Sequence, residues 1–166
     1  MQNPSYKSRQ QELTELGLAG LAPFWVAAIG VWVVPVLTNS TSFALTLHSM
    51  ALAYGAIIAS YMAGMGAGGL VAGARQSGEP LLPGMVATLV AWLAAWTNLP
   101  FTLSLAASWR HALILMVLGY LLLRDLRAVA TGVAPTWYGP LRMRLTFWAS
   151  LAIILIISRL MLWGYY

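Results

Sequence analysis

Residues Gly64 to Gly69 read Gly-Met-Gly-Ala-Gly-Gly, the Gly-x-Gly-x-x-Gly spacing of a dinucleotide-binding turn. That spacing holds a pyrophosphate when it follows a strand and opens a helix, with an acidic residue about 20 positions further on for the ribose. Here Tyr61-Met62-Ala63 comes before it, and the position twenty after Gly69 is Leu89. Nucleotide chemistry is therefore not expected. A second rule fits the same residues better. Ala56, Ser60, Gly64, Gly68 and Ala72 are small and four apart, and Gly69 and Gly73 repeat the spacing one position round. Small residues at that spacing let two membrane helices approach closely, so that packing drives their association. The face they form is expected either to pack within the chain's own bundle or to dock onto another subunit.

The other residues with chemistry to offer are polar groups inside apolar runs. Arg110 and His111 stand side by side in one run, Arg159 lies in another, and His48 and Asn98 lie near the ends of two more. An arginine in mid-bilayer is costly, so it faces the bundle interior, water or a partner. These five residues are expected at similar depth on one side of the membrane, as a single polar pocket. All four carboxylates, Glu12, Glu15, Glu79 and Asp125, map to the opposite side. A cationic cluster without an acid would take an anion: a lipid phosphate, a substrate carboxylate or an acidic residue of another subunit. Snorkelling is the alternative, for Arg159 above all, whose long stem can reach the headgroups.

His48 and His111 are the only histidines. Either is a candidate ligand for a haem or chlorophyll, beside a hydrogen-bonded structural role. No cofactor is predicted, though the fold leaves room for a bound lipid, quinone or pigment. The chain has no cysteine, which excludes disulfides and thiolate metal sites, and no metal site is expected. No serine, carboxylate and histidine set suggests hydrolysis, and no paired carboxylates suggest a proton relay, so no catalytic residues are assigned.

These groups must be positioned by elements that suit the composition. Of 166 residues, 60% are hydrophobic and 8% charged, against about 25% charged in a soluble domain. Such a chain cannot cover a folded surface in water, whereas a bilayer solvates an apolar exterior. No Asp, Glu, Lys or Arg occurs between Leu16 and Ala74, enough for two spans of about 20 residues. The pattern predicts an all-α, polytopic membrane helical bundle of about five spans, near residues 16–37, 43–73, 81–99, 101–123 and 145–163. Thr38 to Ser42, Arg75 to Pro80, Pro100 and the basic stretch from Arg124 to Arg144 are read as the connections. Residues 1–15 form a cytoplasmic or interfacial segment, and residues 16–166 form one transmembrane domain. The first apolar run exceeds the about 7–15 residues of a signal-peptide core, so cleavage is not expected.

With five spans, Lys7, Arg9, Arg75, Arg124, Arg127, Arg142 and Arg144 all fall on one side. By the positive-inside rule the amino terminus is cytoplasmic and the carboxyl terminus periplasmic, in a bacterial inner membrane or its mitochondrial equivalent. The basic loop attracts anionic lipid; nucleic acid is not an expected partner, and no soluble substrate is identified.

Three stretches carry a family resemblance. Leu16-Gly17-Leu18-Ala19-Gly20-Leu21-Ala22-Pro23-Phe24, Tyr54-Gly55-Ala56-Ile57-Ile58-Ala59-Ser60-Tyr61, and Pro135-Thr136-Trp137-Tyr138 with Leu141-Arg142 resemble the small inner-membrane proteins of unknown function that include transmembrane protein 69. The likeness runs from about Leu16 to Ile157 and implies a compact five-span protein without an established activity. At Gly66 and Ala67 the chain departs from the family, which carries a His and a Trp there, so whatever that pair does is missing here.

Two functional classes stand open. One is a non-enzymatic accessory, stabilising or assembly subunit that docks onto a larger membrane complex, respiratory or photosynthetic, through the small-residue face. The other is a small carrier or a lipid- or anion-binding protein that uses the Arg/His pocket. The orientation is testable by reporter fusions after Gly78, Thr131 and Tyr166. Cytoplasmic signals at Gly78 and Thr131 with an outer signal at Tyr166 are expected; an outer signal at either of the first two overturns the five-span topology.

Overall fold

The computed structural model describes residues 4–39, 41–71, 81–96 and 106–163. Among these, every regular element is an α-helix: α1 (Pro4–Ala19), α2 (Ala22–Thr38), α3 (Ser42–Val71), α4 (Leu82–Ala95), α5 (Ala107–Ala130) and α6 (Tyr138–Leu162). Only a turn at Gly20 and Leu21 separates α1 from α2, so the six helices make five rods. The turn sits where it does because Pro23, in the first turn of α2, has no N–H to give to the carbonyl of Ala19. Asn39 ends α2 in the left-handed region, at φ 53°, a conformation that asparagine tolerates.

Two boundaries of the sequence reading fall within helix. Within the segment 1–15 the chain is helical from Pro4, and α1 runs on past Glu15 to Ala19, almost unbroken into the first apolar rod. The basic stretch from Arg124 to Arg144 is mostly helix, and the connection shrinks to residues 131–137. Charge marked that stretch as loop, but Arg, Leu and Ala are good helix formers, and Pro140 falls in the first turn of α6, where proline is tolerated. Gly132, at φ 74°, provides the left-handed residue that ends α5. The expected turn at Pro100 and the loop at 75–80 lie outside the described residues.

The rods alternate in direction. Tyr54 meets Gly20, and Trp32 meets Leu155. Arg110 reaches Ala94 at one end of the α4–α5 pair, and Arg124 lies beside Gly84 at the other. So α2, α4 and α6 run one way, and α3 and α5 run the other.

Among the described residues, three stretches are long and apolar enough to cross a membrane: Gln10–Thr38, Ser42–Gly68 and Tyr138–Leu162; Leu82–Ala95 is a shorter apolar helix. The packing is that of a membrane protein. Much of the core is alanine, with Ala28, Ala44, Ala59, Ala91, Ala94 and Ala152 almost wholly buried. Large apolar side chains such as Val36, Leu37, Ile57, Met116, Phe147 and Leu162 point outward. Small interiors let helix backbones close up, while lipid solvates the exterior. Gly55 shows how tight the fit is: a Cβ built on it would stand 2.8 Å from Ile114 Cγ2 of α5. Gly119 is the contrast, since a Cβ there meets nothing within 4 Å. Gly55→Leu is therefore expected to cost about 1–3 kcal/mol through overpacking, seen as a lower melting temperature in detergent, while Gly119→Leu stays near wild type. Equal melting temperatures would show that α3 and α5 do not cross at Gly55.

Candidate functional site

The expected polar pocket assembles in part. His48 on α3 and His111 on α5 bring their rings together, with centroids 5.6 Å apart. Both are buried, as is Arg110. Arg110 Nε donates to the carbonyl of Ala94 at 2.8 Å, one of the last four carbonyls of α4, which have no partner within their own helix. The guanidinium therefore caps α4 across the interface. His111 Nδ1 lies 3.0 Å from the carbonyl of Ala107, and a carbonyl only accepts, so Nδ1 carries the hydrogen. The other ring nitrogen of His111 is Nε2. It is buried without a hydrogen-bond partner among the described residues, and so are His48 Nδ1 and Arg110 Nη2. The described residues hold no group of three or more side chains able to ligate a metal.

Arg159 does not join the histidines. Its guanidinium carbon lies 5.0 Å from the ring centroid of Trp32 and 4.2 Å from that of Trp163, within cation–π range of both. Trp32 is itself fixed, since its indole Nε1 donates to the carbonyl of Leu155 at 3.0 Å. Arg159 is thus half-buried between two rings, where snorkelling to the surface was the alternative. Asn98 lies outside the described residues.

The small-residue face also divides. Ala56 is buried, whereas Ser60, Gly64 and Gly68 are exposed. Ser60 turns its hydroxyl back to the carbonyl of Ala56 at 3.0 Å. A Cβ on Gly64 or Gly68 would meet nothing within 4 Å, so these two glycines make no close crossing among the described residues. Gly69 lies on α3, and Ala72 and Gly73 lie outside the described residues.

Sequence reasoning missed a cavity of about 440 Å³ at the opposite end from the histidines. Its walls come from the α1–α2 rod, α3 and α6, with Leu118 of α5 contributing from behind. Small residues open it: Gly17 and Gly20 on one wall, Ala149 on another. Tyr54 braces the first wall by donating its hydroxyl to the carbonyl of Gly20 at 2.7 Å and by meeting Phe24 edge-on, with ring centroids 5.1 Å apart. Leu13, Leu16, Ile57, Tyr61 and Met65 line the cavity and are exposed, so its rim is largely apolar.

The lining is almost wholly apolar, and its one charged member is Arg142. Arg142 is 7% exposed. Its Nε donates to Asp125 Oδ2 at 2.6 Å, an ion pair that ties α6 to α5. Tyr138 donates its hydroxyl to the same oxygen at 3.3 Å. Arg142 Nη2, by contrast, is buried and has no acceptor among the described residues. A signal for this site was present in the sequence. Asp125 is the only acid after Glu79, and an acid in a chain so poor in them needs a specific cation.

A family model matches residues 10–158 and describes its members as "Protein of unknown function (DUF3429)". No curated protein and no solved structure matches the chain. What is shown is an uncharacterised family; the narrower likeness to transmembrane protein 69 is no part of that match. The matched stretch takes in the cavity lining, the Asp125–Arg142 pair and the His48–His111 contact, and by that match the chain belongs to the DUF3429 family of proteins of unknown function.

Proposed function

We propose that this chain is an integral membrane protein that holds a lipid-like amphiphile in the cavity between the α1–α2 rod, α3 and α6, with the ligand's head at Arg142. The observation that carries the reading is the lining itself: Arg142 is the one charged residue in the wall of an otherwise apolar cavity. A pocket lined by apolar side chains with a few fixed polar groups is how small-molecule sites are built. The apolar rim favours entry from the bilayer. Depth agrees as well. α6 has 25 residues, about 37 Å at 1.5 Å per residue, against a hydrocarbon core of about 30 Å. Arg142 is the fifth residue of α6, so it lies near headgroup level, with the cavity extending inward.

The membrane and orientation belong to the same proposal: five spans in an inner membrane, with the amino terminus cytoplasmic. Arg124, Arg127, Arg142 and Arg144 would then sit at the cytoplasmic end, and the ligand would lie as a lipid of the inner leaflet lies. This moves the lipid-binding alternative from the histidine end of the bundle to the other end, and leaves the His48–Arg110–His111 cluster bracing α3, α4 and α5.

A second reading has its own observation. Gly64 and Gly68 are exposed and would accept side chains without meeting anything in this chain. That fits an accessory, stabilising or assembly subunit whose α3 docks onto a larger membrane complex.

Each reading has a direct test. Ala149 is buried and lines the cavity. Ala149→Phe is expected to insert and elute as wild type while losing most of its co-purifying lipid, about tenfold by mass spectrometry of the extracted protein; unchanged lipid content overturns the cavity reading. Gly64→Leu and Gly68→Leu are expected to melt as wild type. If α3 docks, both variants lose the high-mass band on blue-native electrophoresis. A wild-type band for both removes the docking reading.

A further inference from the structure

We infer that the head group recognised at Arg142 is an uncharged oxygen acceptor of the carbonyl kind, not an anion. This rests on the cavity being a ligand site and goes on to say what the ligand carries. The argument is one of charge balance. Arg142 brings one positive charge to the cavity wall, and Asp125, 2.6 Å from its Nε, cancels it. Tyr138 adds a hydrogen bond to Asp125 and no charge. No other charged side chain lines the cavity. Arg124, Arg127 and Arg144 belong to the same end of the bundle, but none of them forms part of its wall.

A carboxylate or phosphate placed at Arg142 would therefore enter a site already neutral. It would lose its hydration without a free cation to offset that loss, and it would compete with Asp125 for the same guanidinium. A carbonyl oxygen has a small desolvation cost by comparison. It needs one donor, which the guanidinium of Arg142, a member of the cavity wall, supplies while its Nε keeps Asp125. The bond is charge-assisted, so it is stronger than one between neutral groups. Thr146, buried in the same lining, is a second hydroxyl-bearing group that suits an uncharged head. The ligand class is thus a neutral amphiphile with a carbonyl at one end. A quinone and an ester lipid both satisfy this chemistry.

The test compares tritiated probes of similar chain length on the purified full-length protein in dodecylmaltoside, by scintillation proximity, each read above the same probe on Ala149→Phe. The probes are dodecane, methyl laurate and laurate, with a decyl-substituted benzoquinone as a fourth. Methyl laurate or the quinone is expected to bind at least about tenfold tighter than dodecane, the worth of one charge-assisted hydrogen bond, and tighter than laurate. Whichever of the two binds more tightly identifies the source. Asp125→Asn keeps an amide oxygen for Arg142 Nε but uncovers its charge, so it is expected to reverse the order and favour laurate. Tyr138→Phe alters no charge and keeps the wild-type order. Laurate binding as well as or better than methyl laurate on the wild type overturns the neutral head, as does dodecane matching the ester, while both leave the cavity as a ligand site. Binding of no probe above the Ala149→Phe level overturns the cavity reading itself. Should Asp125→Asn fail to fold, the wild-type comparison still decides the head group.

Discussion

A guanidinium withdrawn from water must find something to hold its charge and its donors, and three arginines in this bundle meet that constraint in three ways. Arg110 turns to the carbonyl of Ala94 in the last turn of α4. Arg159 lies between the faces of Trp32 and Trp163. Arg142 takes Asp125. Each solution joins elements distant in sequence: α5 to α4, α6 to α2, α6 to α5. Helices in lipid have no hydrophobic effect pulling them together, so these polar ties do much to set which rods are neighbours. Alanine and glycine do the rest by letting the backbones come close.

The same logic separates the two ends. Both ends leave a buried guanidinium nitrogen over, Arg110 Nη2 beside the histidines and Arg142 Nη2 at the other end. What differs is the space nearby: Arg142 belongs to the wall of an apolar cavity, and His48, Arg110 and His111 do not. That contrast is why the functional proposal rests on Arg142 and not on the histidines.

How much of this was legible beforehand depended on what each residue type signals alone. The charge-free run from Leu16 to Ala74 and the scarcity of acids declared a membrane helix bundle without ambiguity. His48 and His111 were placed at one depth because both sit a short way into rods that run in the same direction, and their ring contact lies at that depth. Asp125 and Arg142 were hidden because charge was used as the mark of a loop, and a charged pair buried between two helix ends violates that mark. The small-residue stripe divides between a buried and an exposed part for a geometric reason. A step of four residues overshoots a helical turn by about 40°, so three steps from Ala56 to Gly68 rotate about 120° round α3. The face that packs is instead Leu52, Ala56, Ala59 and Ala63, spaced by three and four. The cavity was beyond reach, since an empty volume is a property of several helices together and has no pattern in any one of them.

The pairing of Asp125 with Arg142 also joins two unlike helices. α5 carries Arg110 near one end and Arg124, Asp125 and Arg127 near the other, and it is not among the stretches apolar enough to cross unaided; α6, with a mean hydropathy of 2.1 over its apolar window, is. The two are linked by the short turn at 131–137, and in the folded chain Asp125 takes its ion-pair partner from the far side of that turn. The pair thus makes α5 and α6 one helical hairpin, in which the more apolar helix is tied to the less apolar one across a seven-residue turn.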